Sequence, residues 1–269
     1  MSDEDFNQSV MCISLESCDI TCRLDAFDIK DEFFHNSAAF STDSSLLVFA
    51  MARKVVIDDN KNADIVKLQV LDVTSQQLRF SVECGEKKFH SLLLKDDRFA
   101  ILAWTDCSFD VYDVTKGASN THLPAPDSRL VIQQCFLTRD DYLVGLSSSQ
   151  SSADRKYFAL WFWSLDDGTS VNLLTQTYEE SDDIPESFII VEDLRLALLA
   201  SRGNATLSVW DLPNSECVFS TRAHKSSFDN IVRMRNSYKF ITCSSGEEVV
   251  KVWDIYDVLR RSKEGLKQV

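Results

Sequence analysis

The side chains that could do chemistry in this 269-residue chain are few and far apart. Four histidines occur, at positions 35, 90, 122 and 224. A metal centre or a nucleophile–base pair needs two or three such groups in one place, usually at short and regular spacing. His224 has no paired nucleophile or carboxylate at a fixed spacing, so a structural role is favoured over a catalytic one.

Motifs for phosphate, nucleotide, acyl-transfer and zinc-protease chemistry do not occur in the sequence. GxxxxGK[ST], GxGxxG, GxSxG and HExxH are absent, and the chain has only seven glycines. The neighbouring acids Asp96-Asp97, Asp140-Asp141 and Asp166-Asp167 are turn formers first, with catalysis a remote alternative. We therefore predict a protein that is not an enzyme and that uses no cofactor, no metal and no small-molecule substrate.

The eight cysteines also lack the spacing of a ligand set. They stand at positions 12, 18, 22, 84, 107, 135, 217 and 243, mostly within apolar runs, and no CxxC pair occurs. In a reducing compartment such cysteines are most often small buried hydrophobic residues, and zinc binding by a subset is the less favoured alternative.

Charge and hydropathy exclude two further classes. The net charge of −14 disfavours a nucleic-acid groove, which needs a surplus of Lys and Arg. The opening Met1-Ser2-Asp3-Glu4-Asp5 does not resemble a signal peptide. No apolar stretch reaches the roughly 18 residues that span a bilayer. The sequence predicts an intracellular, cytoplasmic protein that binds neither nucleic acid nor membrane.

The elements that must position these residues recur along the chain. Leu207-Ser208-Val209-Trp210-Asp211-Leu212 returns as Val250-Lys251-Val252-Trp253-Asp254-Ile255, and weaker copies precede them. The marks fall at positions 28, 72, 113, 164, 211 and 254, so successive steps are 44, 41, 51, 47 and 43 residues. Each copy is an apolar run that ends in a large side chain and an acid, as a half-buried strand does at a polar turn. A period in the forties is typical of a propeller whose blades hold four strands each.

These residues resemble the WD-repeat family of β-propellers over almost the whole chain. The resemblance implies an all-β fold of four-stranded antiparallel blades, with strands a to d in each. We count five nearly complete blades plus part of a sixth, a number that leaves an incomplete ring open. We predict an acidic flexible N-terminus over residues 1–9, the propeller over 10–255, and a basic tail or short helix over 256–269.

In that family the residue at the Trp position wedges neighbouring blades together. A histidine such as His224 joins a hydrogen-bond network with a hydroxyl of strand b, an acid of a turn and the Trp. Ser244 or Ser245 is expected to supply the hydroxyl here, and Glu247 stands at the acid position. The predicted structural repeat residues are Asp28, Asp72, Tyr112, Asp113, Trp163, Trp210, Asp211, His224, Trp253 and Asp254.

Loop lengths indicate where a partner would bind. The a–b and c–d turns are short, whereas the b–c and d–a connections are long and polar, and include residues 52–64, 147–156, 176–186 and 222–230. Function on a rigid scaffold gathers in such loops, although tolerated insertions are an equal alternative. We predict a non-enzymatic scaffold that binds a protein or peptide through this face. The candidate contact residues are Arg53, Lys54, Arg155, Lys156, Glu179, Glu180, Asp182, Asp183, Arg222 and Lys225.

A second hypothesis comes from architecture alone. The chain could be the C-terminal sensor or regulatory propeller of a larger NACHT and WD-repeat type signalling NTPase. The nucleotide-binding motif of such a protein is absent from the sequence.

Overall fold

The computed structural model describes residues 9–13, 20–25, 33–58, 61–138, 142–149, 156–178, 184–234, 237–244 and 246–265. The chain divides into two compact units, Met1–Pro124 and Ala125–Val269. The prediction of an all-β fold with four-stranded antiparallel sheets is confirmed. In the described residues there are four sheets of four strands, one of three and one of two.

The first unit holds three sheets. Sheet 1 consists of β1 (Ser9–Ile13) and β2 (Ile20–Asp25). Sheet 2 consists of β3 (Phe33–Phe40), β4 (Leu46–Asp58), β5 (Lys61–Asp72) and β6 (Gln77–Lys87). Sheet 3 consists of β7 (Phe89–Lys95), β8 (Phe99–Trp104), β9 (Phe109–Asp113) and β10 (Ala118–Leu123).

The second unit holds three more sheets and a helix. Sheet 4 consists of β11 (Leu130–Leu137), β12 (Tyr142–Ser149), β13 (Lys156–Ser164) and β14 (Ser170–Tyr178). Sheet 5 consists of β15 (Pro185–Val191), β16 (Leu196–Ser201), β17 (Thr206–Asp211) and β18 (Glu216–Arg222). Sheet 6 consists of β19 (Asn230–Arg233), β20 (Lys239–Ser244) and β21 (Val249–Asp254), and α1 (Ile255–Gly265) follows it.

One register recurs in sheets 2 to 6. The residue before the last of strand c always pairs with the second residue of strand b. These pairs are Leu71 with Leu47, Tyr112 with Ala100, Trp163 with Leu143, Trp210 with Ala197, and Trp253 with Phe240. Because side chains alternate along a strand, a fixed register places each of these large residues on the same face of its sheet.

The acid that follows most of these residues closes the next turn. The Asp72 carboxylate accepts hydrogen bonds from the Ser75 backbone N–H (2.9 Å) and from Arg79 (2.7 Å), and these lower its pKa to about 2. Asp113 does the same with Arg98 and Thr115. Asp254 instead accepts the Tyr256 N–H, at the start of α1 (2.9 Å). The recurring aspartate is thus a turn former.

Successive sheets within each unit are joined through their a strands. A side-chain oxygen of one a strand accepts a backbone N–H of the next one. In the first unit Ser37 accepts from Leu92 (3.2 Å). In the second unit Gln134 accepts from Phe188 (2.7 Å) and Ser187 accepts from Ile231 (3.4 Å). The same bond is therefore made by different residue types.

Apolar clusters fill the spaces between sheets. In the first unit, sheets 2 and 3 share a core that includes Tyr112. In the second unit sheet 5 contributes to two clusters. Phe188, Ala197, Leu199 and Trp210 pack against sheet 4, while Ile189, Leu198, Leu207 and Val209 pack against sheet 6 and α1. Sheet 5 is therefore buried on both faces, which its nearly continuous apolar strand β16 requires.

One sequence expectation about the loops is wrong. Residues 52–64 were expected to be a loop, but β4 and β5 continue as a paired hairpin in which Arg53 lies opposite Ile65 and Lys54 opposite Asp64. In sheet 5 a short 3₁₀ turn, Glu192–Leu194, precedes β16, and Arg195 adopts a left-handed conformation with φ of 52°. Among the described residues, no helix is long and apolar enough to cross a membrane.

Candidate partner-binding face

The b–c and d–a connections of the second unit form what we call the loop face. Its described parts are residues 125–129, 202–205, 223–229 and 246–248. Two of these connections are bonded to each other. The Ala223 N–H donates to the Ala205 carbonyl (2.8 Å), and the Phe228 N–H donates to the Arg202 carbonyl (3.2 Å). Backbone bonds of this kind fix the d–a connection in one conformation.

Arg222, the last residue of β18, closes the loop that follows it. Its guanidinium donates to the carbonyls of His224 (3.1 Å) and Lys225 (2.7 Å). A planar guanidinium can donate hydrogen bonds to two carbonyl oxygens at once. Without Arg222 these two backbone carbonyls would depend on water for a hydrogen bond. Arg222 thus shapes the loop, while Lys225 beside it is exposed.

His224 lies buried beneath this loop in a polar network. Its Nε2 is 2.9 Å from the Thr242 hydroxyl, which also accepts a hydrogen bond from Trp253 Nε1 (2.9 Å). Indole N–H can only donate, so the one hydroxyl hydrogen of Thr242 is available for His224 Nε2. The imidazole then carries its hydrogen on Nδ1, which lies 3.6 Å from a Glu247 carboxylate oxygen. Phe228 packs edge-on against the ring.

Glu247 ties the b–c turn of sheet 6 to the same loop. One carboxylate oxygen accepts the backbone N–H groups of Ser226 (2.8 Å) and Lys225. The Ser226 N–H is the main cause of a lowered pKa of Glu247, with smaller contributions from the Lys225 N–H and from the charge of Lys251. The Ser226 hydroxyl also bonds to the Ser244 hydroxyl (2.7 Å). The carboxylate therefore stays ionised and holds the loop closed near neutral pH.

Gly246 allows this close approach. A β-carbon at position 246 would lie 2.7 Å from the Ser226 hydroxyl oxygen and 3.0 Å from Ser226 Cβ. The 2.7 Å approach is closer than real side chains allow, so any residue larger than glycine at position 246 would displace the Ser226 side chain from its place in the loop.

The connection at residues 125–129 is held by separate contacts. Asp127 accepts hydrogen bonds from the Arg129 backbone N–H (2.9 Å), from the Arg129 guanidinium (2.8 Å) and from the Tyr157 hydroxyl (3.1 Å). Arg129 is the main cause of a strongly lowered pKa of Asp127. Glu186, the second residue of β15, forms an ion pair with Arg202 of the loop face at 3.8 Å. Surface pairs of this kind contribute little stability and chiefly orient the side chains.

The structure brings together only part of the predicted contact set. Arg222 and Lys225 share one loop. Arg53 and Lys54 lie on strand β4 of the first unit, and Lys156 begins β13. Arg155, Glu179, Glu180, Asp182 and Asp183 lie outside the described residues, as does the repeat residue Asp28.

The predicted hydroxyl of the His224 network was wrong. Thr242 fills that role, Ser244 bonds to Ser226 instead, and Ser245 lies outside the described residues. Thr242 pairs with Lys251, one step along from the Phe240–Trp253 pair, so its side chain shares the buried face with Trp253. Strand alternation from Phe240 could have identified Thr242 in the sequence.

The described residues contain no group of three or more His, Cys, Asp or Glu side chains that could hold a metal ion. In the first unit the Asp110 carboxylate accepts a hydrogen bond from Trp104 Nε1 (2.7 Å) and lies 2.6 Å from His122 Nδ1. The second contact orients the His122 ring. His224 is buried with its Nε2 occupied, so its role in this arrangement is to hold the loop.

Tandem four-stranded antiparallel sheets with a constant wedge register define the β-propeller fold class. A chain of the solved structure described as "Crystal Structure of Mitotic Checkpoint Complex" matches with a TM-score of 0.63 and 12% sequence identity, over 92% of this chain and 68% of that one. At this identity the likeness shows the fold and not the function. In all, 1095 chains of solved structures match, so the fold is one that many proteins share. No protein-family model matches the sequence, and no curated protein matches it.

Proposed function

We propose that this protein is a non-enzymatic scaffold that binds a protein or peptide partner on the loop face. The observation that carries the proposal is the way the loop at residues 223–229 is held. Arg222, His224 and Glu247 fix its backbone from three sides while Lys225 stays exposed. A preordered loop loses little conformational entropy when it binds, which favours recognition.

Two further facts support a macromolecular partner over a small molecule. The described loop face is built from several separate connections on a scaffold of sheets, and binding residues gather on loops of this kind. The matched structure, by its description, is a protein complex. Lys225 is the best-placed candidate contact residue on the loop face. Arg155, Lys156, Glu179, Glu180, Asp182 and Asp183 of the second unit stay candidates for the same partner, while Arg53 and Lys54 stay separate candidates on β4 of the first unit.

Charge reversal on the loop tests the proposal. The tagged full chain, its Lys225→Glu variant and its Arg195→Glu variant are compared in quantitative affinity purification, and any partner is then purified and its binding measured directly. Arg195 is an exposed cation at an a–b turn, at the other end of the same sheets, and is the matched control. We expect Lys225→Glu to weaken binding at least about tenfold and Arg195→Glu to leave it unchanged. Equal binding by both variants would contradict this site.

The NACHT and WD-repeat alternative stays a prediction from the sequence. A P-loop motif encoded upstream in the same transcript would favour it.

A further inference from the structure

The last sheet of the chain has one buried face and one exposed apolar face. Toward sheet 5 it presents Ile231, Phe240 and Trp253, which join the shared core. Side chains that pair directly across strands lie on the same face. The Val232–Ile241–Val252 row and the Cys243–Val250 pair therefore lie on the opposite face of sheet 6. We call this set of five residues the free face.

The free face is exposed where the same positions of other sheets are not. Val250 is 65% exposed, whereas its equivalents Leu68, Phe109, Leu160 and Leu207 are all at 0%. Val252 is 62% exposed, whereas its equivalent Val209 in sheet 5 is at 0%. The row Ile189–Leu198–Val209 of sheet 5 is covered by sheet 6. The free face is thus a sheet-packing surface without a packed sheet in the described part of the second unit.

The edge of sheet 6 adds to this open surface. β21 pairs with β20 on one side, and no described strand pairs with its other side. In sheets 2 to 5 the fourth strand occupies that position. Large exposed apolar patches on a protein commonly mark interaction sites.

We propose that the free face is the contact between two copies of this chain. Its charged neighbours Lys239 and Asp254 lie opposite each other at one end, so that the face carries no net charge on a chain of net charge −14. Two acidic molecules meet with least repulsion at a neutral, apolar surface. A two-fold axis would bring this same patch of both copies together, and two apolar sheet faces can then pack as in a β-sandwich.

Sedimentation velocity of the full chain tests the pairing. We expect a 30.6 kDa monomer that converts to a particle of twice that mass as the concentration rises from about 1 µM to about 100 µM. Added salt should strengthen the association, because it screens the repulsion between acidic copies. The double variant Val250→Glu/Val252→Glu should stay monomeric throughout, and Val171→Glu is the matched control because Val171 is 58% exposed on β14, outside the free face. A wild-type monomer at every concentration, or a dimer that survives the double change, would overturn the proposal.

Cysteine alkylation of the wild-type chain gives a second measurement, which does not depend on whether a variant folds. Cys243 lies on the free face, while Cys217 is exposed on β18 and lies outside it. Over the same concentration range, labelling of Cys243 by a maleimide, followed by peptide mass spectrometry, should slow by about fivefold or more as dimer forms. Labelling of Cys217 should not change. Equal behaviour of the two thiols would contradict a dimer through this face and would indicate that any association uses another surface.

Discussion

Sheets 5 and 6 share a register and differ in what surrounds them. Both place a tryptophan before the last residue of strand c and pair it with the second residue of strand b. Sheet 5 is buried on both faces, while sheet 6 is buried on one. Strand pairing is therefore set within each repeat, whereas burial depends on the neighbouring sheet. Identical sequence positions can thus carry very different amounts of stability.

Truncation of one valine in each sheet measures that difference most directly. Val209→Ala should lower the free energy of unfolding by about 2–3 kcal/mol, because it leaves a cavity in a packed core. Val252→Ala, at the same register position, should change it by less than about 0.5 kcal/mol in a dilute solution of monomer. Urea denaturation followed by tryptophan fluorescence gives both values. Equal losses in the two variants would show that the free face is covered within the monomer.

The polar network of sheet 6 provides the next contrast. Thr242 is buried and bonds to both His224 and Trp253, whereas the equivalent position in sheet 5 is Leu199. Thr242→Val should cost about 2 kcal/mol, because it leaves the two ring nitrogens without a partner in the core. Thr242→Ser should recover most of that loss. In sheet 5, Ser208→Ala removes the partly buried bond to Trp210 Nε1 and should cost about 0.5–1 kcal/mol. A similar loss from Thr242→Val and Thr242→Ser would mean that packing of the methyl group, and not the hydroxyl, is what matters.

The turn aspartates should differ in their dependence on pH. The Arg98 side chain, more than any other group, holds the pKa of Asp113 well below its ordinary value. A lowered folded-state pKa means that the stabilisation is present above the unfolded value of 3.8 and is lost as the pH falls through the folded-state pKa. Asp113→Asn should therefore lower stability by about 1–2 kcal/mol near neutral pH and by progressively less toward pH 2.

Asp211 is the matched position in sheet 5, where its side chain bonds to Asn214 (2.7 Å). Asp211→Asn should have the smaller effect near neutral pH, since it breaks no bond to a charged group. Urea denaturation across a pH series measures both variants. A constant deficit of Asp113→Asn at every pH would rule out the ionised carboxylate as the cause.

The last contrast concerns the turn that supports the loop face. Gly246→Ala should cost about 1 kcal/mol, because the new methyl group displaces the Ser226 side chain. In the double variant Gly246→Ala/Ser226→Gly the clash is removed, so the two changes should be clearly non-additive. Additive losses in this cycle, measured by urea denaturation, would place the strain elsewhere in the turn.

The repeat in the sequence predicted the strands better than it predicted contacts between them. The marks at Asp72, Asp113, Asp211 and Asp254 each fall on the last residue of a c strand. Local pattern suffices there, because an apolar run, a large residue and an acid describe one strand and its turn. Contacts between repeats depend on side-chain direction, which register sets. That is why Thr242 was missed in favour of the hydroxyls nearer the turn.

The error at residues 52–64 has a different origin. The polar residues Arg53, Lys54 and Asp58 suggested a loop, yet the backbone continues as paired strands. Residue composition distinguishes buried from solvated positions more readily than it distinguishes strand from coil. The signal that favoured a strand in this segment was the β-branched pair Val55-Val56. A two-stranded hairpin is only marginally stable by itself, and here it extends directly from the four-stranded sheet 2, which supports it.

That hairpin also determines how the first unit can vary in length. Beyond Asp64, which pairs with Lys87 of β6, strands β4 and β5 continue with each other as their described partners. Residues added or removed as opposing pairs between the Lys54–Asp64 and Asp58–Lys61 pairs would keep every pairing closer to the core unchanged, including the Leu47–Leu71 pair. This outer part of the hairpin is thus a place where a foreign epitope or a reporter peptide can be inserted with the rest of the sheet kept in phase.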